Sequence, residues 1–145
     1  MSTINRFEDI EAWQTARELT KTVYQLTSSG ALAGDSALQD QMRRAAVSIM
    51  SNIAEGFESR TNALFVELLG RAKGSSGELR AQFYIAHDAG YISPAQLQSF
   101  RDQCEKCSSQ ISRLLTYLKS LPNYKRAGSS SPASSVSNVP TFKRP

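Results

Sequence analysis

Cysteine and histidine are scarce in this sequence, which contains two cysteines and one histidine among 145 residues. Cys104 and Cys107 are too few and too close together for the disulfide framework of a secreted domain, so we expect a reducing compartment. They form a single Cys-x-x-Cys pair, and with His87 as the only histidine the sequence offers no second half of a zinc site. Burial as small apolar residues on a helix is therefore the expected role of both cysteines.

Long apolar runs are also missing. No segment approaches the roughly 20 apolar residues that a membrane-spanning helix needs. The opening residues, MSTINRFEDIEAW, lack the apolar core of a secretory signal. These absences predict a cytoplasmic protein with no membrane partner.

Acidic residues are absent from residues 123–145, whose basic residues are Lys125, Arg126, Lys143 and Arg144. The net charge of +4 therefore lies entirely in this segment, and residues 1–122 are neutral overall. A basic sequence pI is thus no sign of a nucleic-acid surface on the body of the protein. Because the segment is rich in serine and proline and poor in apolar residues, we predict a disordered tail that follows one domain of residues 1–122.

No segment alternates convincingly between apolar and polar residues with the period of two that a half-buried strand requires, so we predict no sheet. Instead, apolar residues recur at steps of three and four along four segments, which predicts four helices. The predicted helices cover residues 9–28, 36–56, 62–89 and 94–121. Since the connections between them are short, we expect an all-α, antiparallel, up-down-up-down four-helix bundle.

Residues that begin and end helices support these boundaries. Asp35 or Ser36 caps the second predicted helix, and Ser36 with Gln39 has the spacing of a capping box. Gly90 is expected to end the third helix in the left-handed conformation. Ser93, which is followed by proline, is expected to open the fourth helix with a second capping box.

Three glycines, Gly70, Gly74 and Gly77, lie inside the third predicted helix, where each costs about 1 kcal/mol relative to alanine. They follow no strand and lack the Gly-Lys-Ser/Thr sequence of a phosphate-binding loop. We therefore interpret them as packing positions at which a neighbouring backbone approaches closely.

One permanent cation interrupts the apolar side of the second predicted helix. The apolar arc of residues 43–58 spans roughly 200°, which is wider than contact with one neighbour requires, and Arg43 falls inside it. Arg43 either reaches water along its own methylene groups or is buried at a contact and paired with Glu55 or Glu78. The width of the arc favours a second partner beyond the bundle, and hence a homo-oligomer.

The opposite arc of this helix is polar and includes Arg44, Ser48, Asn52 and Glu55. Two interpretations are open. The arc is either a solvated face or the lining of a crevice or interface, in which hydroxyl and amide groups form hydrogen bonds between helices.

Four segments occur in order along residues 7–93: FEDIEAWQTARELT, QMRRAAVSIMSNIAEGF, a small-residue run at Gly74 and Ser75, and AHDAGYIS. Together they resemble the bacterial four-helix-bundle family first noticed in proteins encoded within intervening sequences of large-subunit ribosomal RNA genes. The family pattern has proline at the position of Met50, so this chain departs from it there.

The resemblance implies an antiparallel four-helix bundle that assembles as a homopentamer and has no established enzymatic activity. It also implies kinship with the accessory proteins of diversity-generating retroelements, which are basic pentamers that bind a reverse transcriptase and nucleic acid. Six residues match recurrent polar positions of the family and form the predicted interface or polar patch. They are Arg43, Arg44, Asn52, Glu55, Glu78 and Gln82.

Catalytic constellations are not evident in the sequence. The Glu-x-x-His motif of di-metal bundles is absent, and His87 has no nucleophile beside it, so we predict no enzymatic activity, metal or cofactor. Aromatic residues do not alternate with basic ones as a stacking platform for single strands would need.

Basic residues that could contact phosphates lie near the third predicted helix and in the tail. They are Arg60, Arg71, Lys73, Arg80, Lys125, Arg126, Lys143 and Arg144. A solvated face accounts for the first four equally well, although a pentamer would repeat each of them five times. Two hypotheses follow: an oligomeric scaffold for structured RNA or DNA that assists a reverse transcriptase, or a protein-interaction module that binds no nucleic acid.

Overall fold

The computed structural model describes residues 3–122, 124 and 141–142. Within these residues, a short 3₁₀ helix (Phe7–Asp9) precedes four long α-helices and one single-turn α-helix, which make up most of the chain. They are α1 (Glu11–Thr27), the single-turn α2 (Gly30–Ala33), α3 (Ser36–Glu58), α4 (Asn62–Asp88) and α5 (Pro94–Ser120). The predicted all-α bundle is confirmed, and each long helix lies within a few residues of its predicted boundaries. The connection between the first two long helices, predicted as a linker, contains α2.

The four long helices form a closed ring of neighbours, in which α3 packs between α1 and α4, and α5 packs between α4 and α1. Thr20 meets Ala46 on the first of these seams, and Ser48 meets Ser75 on the next. The apolar side chains predicted from the three-and-four spacing fill the centre, where Phe57, Phe65 and Phe83 are fully buried. Burial of these faces supplies the main stabilisation of the bundle.

Hydrogen bonds at the helix ends follow the chemistry that the sequence indicates. Asp35 is the cap of α3, since its carboxylate accepts a bond from the N–H of Leu38 at 3.1 Å. The predicted capping box of Ser36 and Gln39 is wrong, because the Gln39 amide instead donates to the carbonyl of Thr27 at 2.7 Å. The capping box at Ser93 is confirmed in both directions.

Gly90 ends α4 as predicted, with a φ of 82°. The N–H of Gly90 bonds to the carbonyl of His87, and the N–H of Tyr91 bonds to that of Ala86. This pair of bonds is the Schellman arrangement, which requires one residue in the left-handed region. The Tyr91 hydroxyl then donates to Asp35 at 3.0 Å, and this bond raises the pKa of Tyr91.

A two-residue parallel pairing lies outside the helices and corrects the prediction that no sheet forms. Strand β1 (Thr3–Ile4) pairs with β2 (Thr141–Phe142), so that Thr3 is opposite Thr141 and Ile4 opposite Phe142. Such a short pair has too few residues to show an alternating pattern in the sequence. The prediction of a disordered tail at 123–145 otherwise concerns residues outside the described part of the chain.

The three glycines of α4 do not mark a close approach of backbones, so that prediction is wrong. A β-carbon added at Gly70, Gly74 or Gly77 would meet no atom within 4 Å. All three lie on the outer side of α4, and it is Ser75 and Ser76 between them that face the neighbouring helices. The close approach occurs at Gly56 of α3, where an added β-carbon would lie 2.7 Å from Cδ1 of Phe65.

Candidate interaction surfaces

Arg43 lies at the seam between α3 and α1, half-buried, with no carboxylate partner among the described residues. Its Nε donates to the hydroxyl of Thr27 at 2.9 Å, and one terminal nitrogen donates to the hydroxyl of Ser28 at 3.1 Å. Its guanidinium carbon stands 4.5 Å from the centre of the Tyr24 ring, within the range of a cation–π contact. Of the two alternatives for Arg43, the buried pair with Glu55 or Glu78 is therefore excluded.

The sequence could not identify these partners, because they depend on how α1 and α3 cross. Thr27 and Ser28 lie at the C-terminal end of α1, which carries partial negative charge. A guanidinium placed there is stabilised by that charge as well as by the two hydroxyl groups. Arg43, on the apolar side of α3, thus holds α3 against α1 through these hydrogen bonds. Part of its side chain remains in contact with water.

The other five residues of the predicted polar patch occupy two places. Asn52 lies in the seam between α3 and α4, where its amide donates to the carbonyl and the hydroxyl of Ser48. Ser48 in turn shares a 2.8 Å hydrogen bond with Ser75 of α4. The interpretation of the polar arc as a seam between helices is right for these residues. Arg44 and Glu55 are exposed, and Arg44 pairs with Asp40 one turn away on the same helix.

Gln82 and Glu78 occupy the same side of α4 as Ser75. The amide nitrogen of Gln82 donates to Glu78 at 3.3 Å. Gln82 is only 3% exposed, and its amide oxygen has no hydrogen-bond partner among the described residues. The structure thus places Asn52 beside Ser48 at the seam between α3 and α4, and Gln82 with Glu78 on the Ser75 side of α4. Arg43 lies apart from all three, on the side of α3 that faces α1.

The basic residues predicted to contact phosphates do not form one patch on the described surface. Arg71 pairs with Glu67 at 3.2 Å, and Arg80 pairs with Glu105 of α5 at 3.3 Å. Residues two apart on a helix differ by roughly 200°, so Arg71 and Lys73 point to opposite sides of α4. Arg60 and Lys73 are exposed and form no ion pair within the described ranges. Lys125, Arg126, Lys143 and Arg144 lie outside the described residues.

Both cysteines have free thiols and are buried in the core, as predicted. Burial raises the pKa of each thiol to about 12, so neither is a reactive nucleophile. His87 is half-buried, with its Nδ1 3.1 Å from Asp88. Across residues 3–122, 124 and 141–142, His, Cys, Asp and Glu side chains form no group of three or more that could hold a metal ion.

None of the helices in the described part of the chain combines the length with the apolar character that crossing a bilayer requires.

Comparison with known proteins identifies one matching family and a fold neighbour. The model of the family described as "23S rRNA-intervening sequence protein" matches residues 8–113, well over half of the chain. A crystal structure of a protein of unknown function from the S23 ribosomal protein family of Bacteroides thetaiotaomicron is similar, with a TM-score of 0.66 and 18% identity. The match covers 72% of this chain and 95% of that one. No curated protein sequence matches significantly.

Proposed function

Because this chain belongs to the 23S rRNA-intervening sequence protein family, we propose that it is a non-enzymatic, homo-oligomeric scaffold for nucleic acid or ribonucleoprotein. The expected assembly is the homopentamer that the family resemblance implies. The expected ligand is structured RNA or DNA, and the expected protein partner is a reverse transcriptase of a diversity-generating retroelement. The expected compartment is the cytoplasm.

The distribution of charge is the observation that carries this proposal. The whole excess of positive charge lies in residues 123–145, which contain no acid to neutralise it. On the helical body, Arg60 and Lys73 are exposed and unpaired within the described ranges, so they are available to phosphates. An oligomer would repeat each of these cations, and repeated weak phosphate contacts add to a substantial attraction for a polyanion.

Salt dependence tests the proposal directly. We expect the full-length protein to bind a structured RNA with an affinity that falls steeply as salt rises, because phosphate contacts release counterions. Replacing Lys125, Arg126, Lys143 and Arg144 together by glutamine should make the slope of log K against log salt less steep by about 3–4 for each protomer whose tail contacts the RNA. Filter retention of labelled RNA between low and physiological salt measures both slopes.

The matched control for this variant keeps the tail intact and replaces Arg44 by glutamine, since Arg44 is exposed but already paired with Asp40. That variant should keep nearly the parent slope. If the intact oligomer retains no RNA even at low salt, the proposal fails.

A protein-interaction module is the second candidate, and the outer face of α4 favours it. Ile85 is 53% exposed on this face, and Leu64 and Tyr84, 41% and 42% exposed, lie on its two opposite flanks, so α4 carries most of the large exposed apolar side chains of the described chain. Gly70 and Gly74 lie on the same face as Ile85 and leave open space there. Under this hypothesis a pull-down would still recover one protein partner after nuclease treatment.

Self-association through this face has a simple test. Replacing Ile85 by lysine should weaken oligomer formation by about tenfold or more, because a buried apolar side chain at a contact contributes roughly 1.5–3 kcal/mol. Replacing Gln25 by lysine adds the same charge on the exposed side of α1 and should leave assembly unchanged. Sedimentation velocity compares the oligomeric state of both variants with that of the parent. Equal sedimentation profiles for all three proteins would exclude this face as a contact between copies.

A further inference from the structure

Two arginine–aromatic pairs lie on the side of α1 that borders α3, one within α1 and one that joins the two helices. Arg17 stands over the Trp13 ring with its guanidinium carbon 5.8 Å from the ring centre, and Arg43 stands over Tyr24 at 4.5 Å. Phe7 packs edge-on against Trp13, with ring centres 5.2 Å apart. The sequence alone shows no such alternation, because Arg43 comes from a different helix.

Helix geometry places both pairs along one line. Trp13, Arg17 and Tyr24 lie within roughly 40° of one another around α1, on the flank whose Thr20 hydroxyl reaches the Ala46 carbonyl of α3. At 1.5 Å per residue, Trp13 and Tyr24 are about 16 Å apart along the axis. The two aromatic–guanidinium pairs are therefore two separate sites along one surface strip, which we define as Trp13, Arg17, Tyr24 and Arg43.

The strip is accessible at Tyr24, whereas Trp13 is half-buried and packs against the core. Tyr24 is 43% exposed, and Val47, on the flank of α3 that follows Arg43, is 40% exposed. Lys21 borders the α1 side of the strip and pairs with Glu18 at 3.8 Å. Asp40, which pairs with Arg44, borders Val47 on the α3 side. Neither guanidinium is paired with a carboxylate of a described residue, so both retain N–H donors for an incoming anion.

We propose that the seam between α1 and α3 binds single-stranded nucleic acid, stacking unpaired bases on the Trp13–Arg17 and Tyr24–Arg43 pairs and pairing the guanidinium groups with phosphates. Guanidinium planes and aromatic rings both stack on bases, and single-strand sites combine such planes with positive charge. A strip of about 16 Å suits the short end of the ~4–16 nucleotides that one single-strand binding domain contacts. This inference rests on the proposed nucleic-acid function and assigns it a second site, distinct from the tail and from α4.

Trp13 is the only tryptophan of the chain, so its fluorescence reports on this seam alone. An unlabelled single-stranded RNA of about 12 nucleotides should quench Trp13 emission on titration into the full-length protein. The same RNA annealed to its complement should quench it far less, because paired bases cannot stack on a side chain. Filter retention run in parallel measures whether each RNA is bound.

Two variants separate stacking from charge. Tyr24→Leu keeps an apolar side chain but removes the ring, and Arg17→Lys keeps the charge but removes the plane. Each should weaken binding of the single strand about fivefold or more, which is the lower range for loss of one stacked base. Arg44→Lys is the matched control, since Arg44 is exposed on another side of α3, and should stay within about twofold of the parent.

The outcomes distinguish this site from the wider function. RNA that is retained without quenching Trp13, or with parent affinity in both Tyr24→Leu and Arg17→Lys, overturns the seam as a binding site and leaves the proposed function standing. Polyglutamate that quenches Trp13 as strongly as RNA shows that the seam reads charge alone, which also overturns stacking. If the parent retains neither RNA, the proposed function itself fails.

Discussion

Replacing Gly56 by alanine is expected to lower the free energy of unfolding by about 1–3 kcal/mol, against the usual direction for a helical glycine. A β-carbon at this position would lie 2.7 Å from Cδ1 of Phe65 and 3.3 Å from Cβ of Leu68. Phe65 is fully buried and packs edge-on against Phe57, with ring centres 6.3 Å apart. Because the ring is fully buried and packs against Phe57, accepting one methyl group requires a shift of the ring or of the two helices.

The matched control is Gly74→Ala in α4. An added β-carbon there meets nothing within 4 Å, so alanine should raise the free energy of unfolding by up to about 1 kcal/mol. Urea unfolding followed by far-UV circular dichroism measures both variants. The combination of Gly56→Ala with Phe65→Leu should recover part of the loss, because the two sites are in contact. A Gly56→Ala variant at least as stable as the parent would contradict the close approach.

Cys104 and Cys107 are expected to react with iodoacetamide about 1000-fold more slowly, or slower still, in the folded protein than in urea at pH 8. Burial raises the pKa of both thiols from an ordinary value of 9.0 to about 12, and the thiolate is the reactive form. A pKa higher by about 3 leaves roughly 1000-fold less thiolate at that pH. Mass spectrometry of quenched samples gives both rates.

The same pKa values predict how stability depends on pH. The folded state keeps its thiols protonated up to about pH 12, whereas the unfolded chain releases these protons above about pH 9. Stability from the thiols is therefore complete below pH 9 and is lost as pH rises toward 12, by up to about 1.4 kcal/mol per pH unit for each thiol. Cys104→Ala with Cys107→Ala should flatten this dependence. Fast alkylation in the native state would contradict the burial of both groups.

Much of the fold follows from patterns that act within one helix. The spacing of apolar residues at steps of three and four along α5 places Cys104 and Cys107 in the core. The end of α4 follows from Gly90 because only a residue tolerant of positive φ completes that turn. These features depend on neighbours a few residues away. They can be derived before any packing is known.

Other features depend on which helix lies opposite, and the sequence does not specify that. The predicted close contact at the glycines of α4 is wrong, and their positions around the helix place them away from the buried Leu69, Ala72 and Leu79. The sequence itself therefore indicates that these glycines lie on the outer side of α4. By contrast, nothing near Gly56 in the sequence indicates Phe65 as its neighbour, since their contact follows from the crossing of α3 and α4.

The candidate surfaces divide in the same way. The place of Arg43 on the apolar arc leaves two alternatives open, access to water or a buried carboxylate pair. The structure excludes the pair, and the hydroxyl groups and ring that contact Arg43 come from α1. Long-range placement of this kind also creates the aromatic–cationic strip. Periodicity in one segment cannot reveal a surface to which two segments contribute.

Adjacent serines on α4 fix how that helix is rotated about its own axis. Ser75 bonds to Ser48 on one side, while Ser76 donates to the Cys104 carbonyl at 3.0 Å on the other and accepts from Ser108. Leucine contacts tolerate a small roll of a helix, but any roll of α4 would break hydroxyl bonds to two neighbours at once. The rotation of α4 about its own axis is thereby fixed. The exposed apolar side chains of this helix, Leu64, Tyr84 and Ile85, therefore stay directed away from the core.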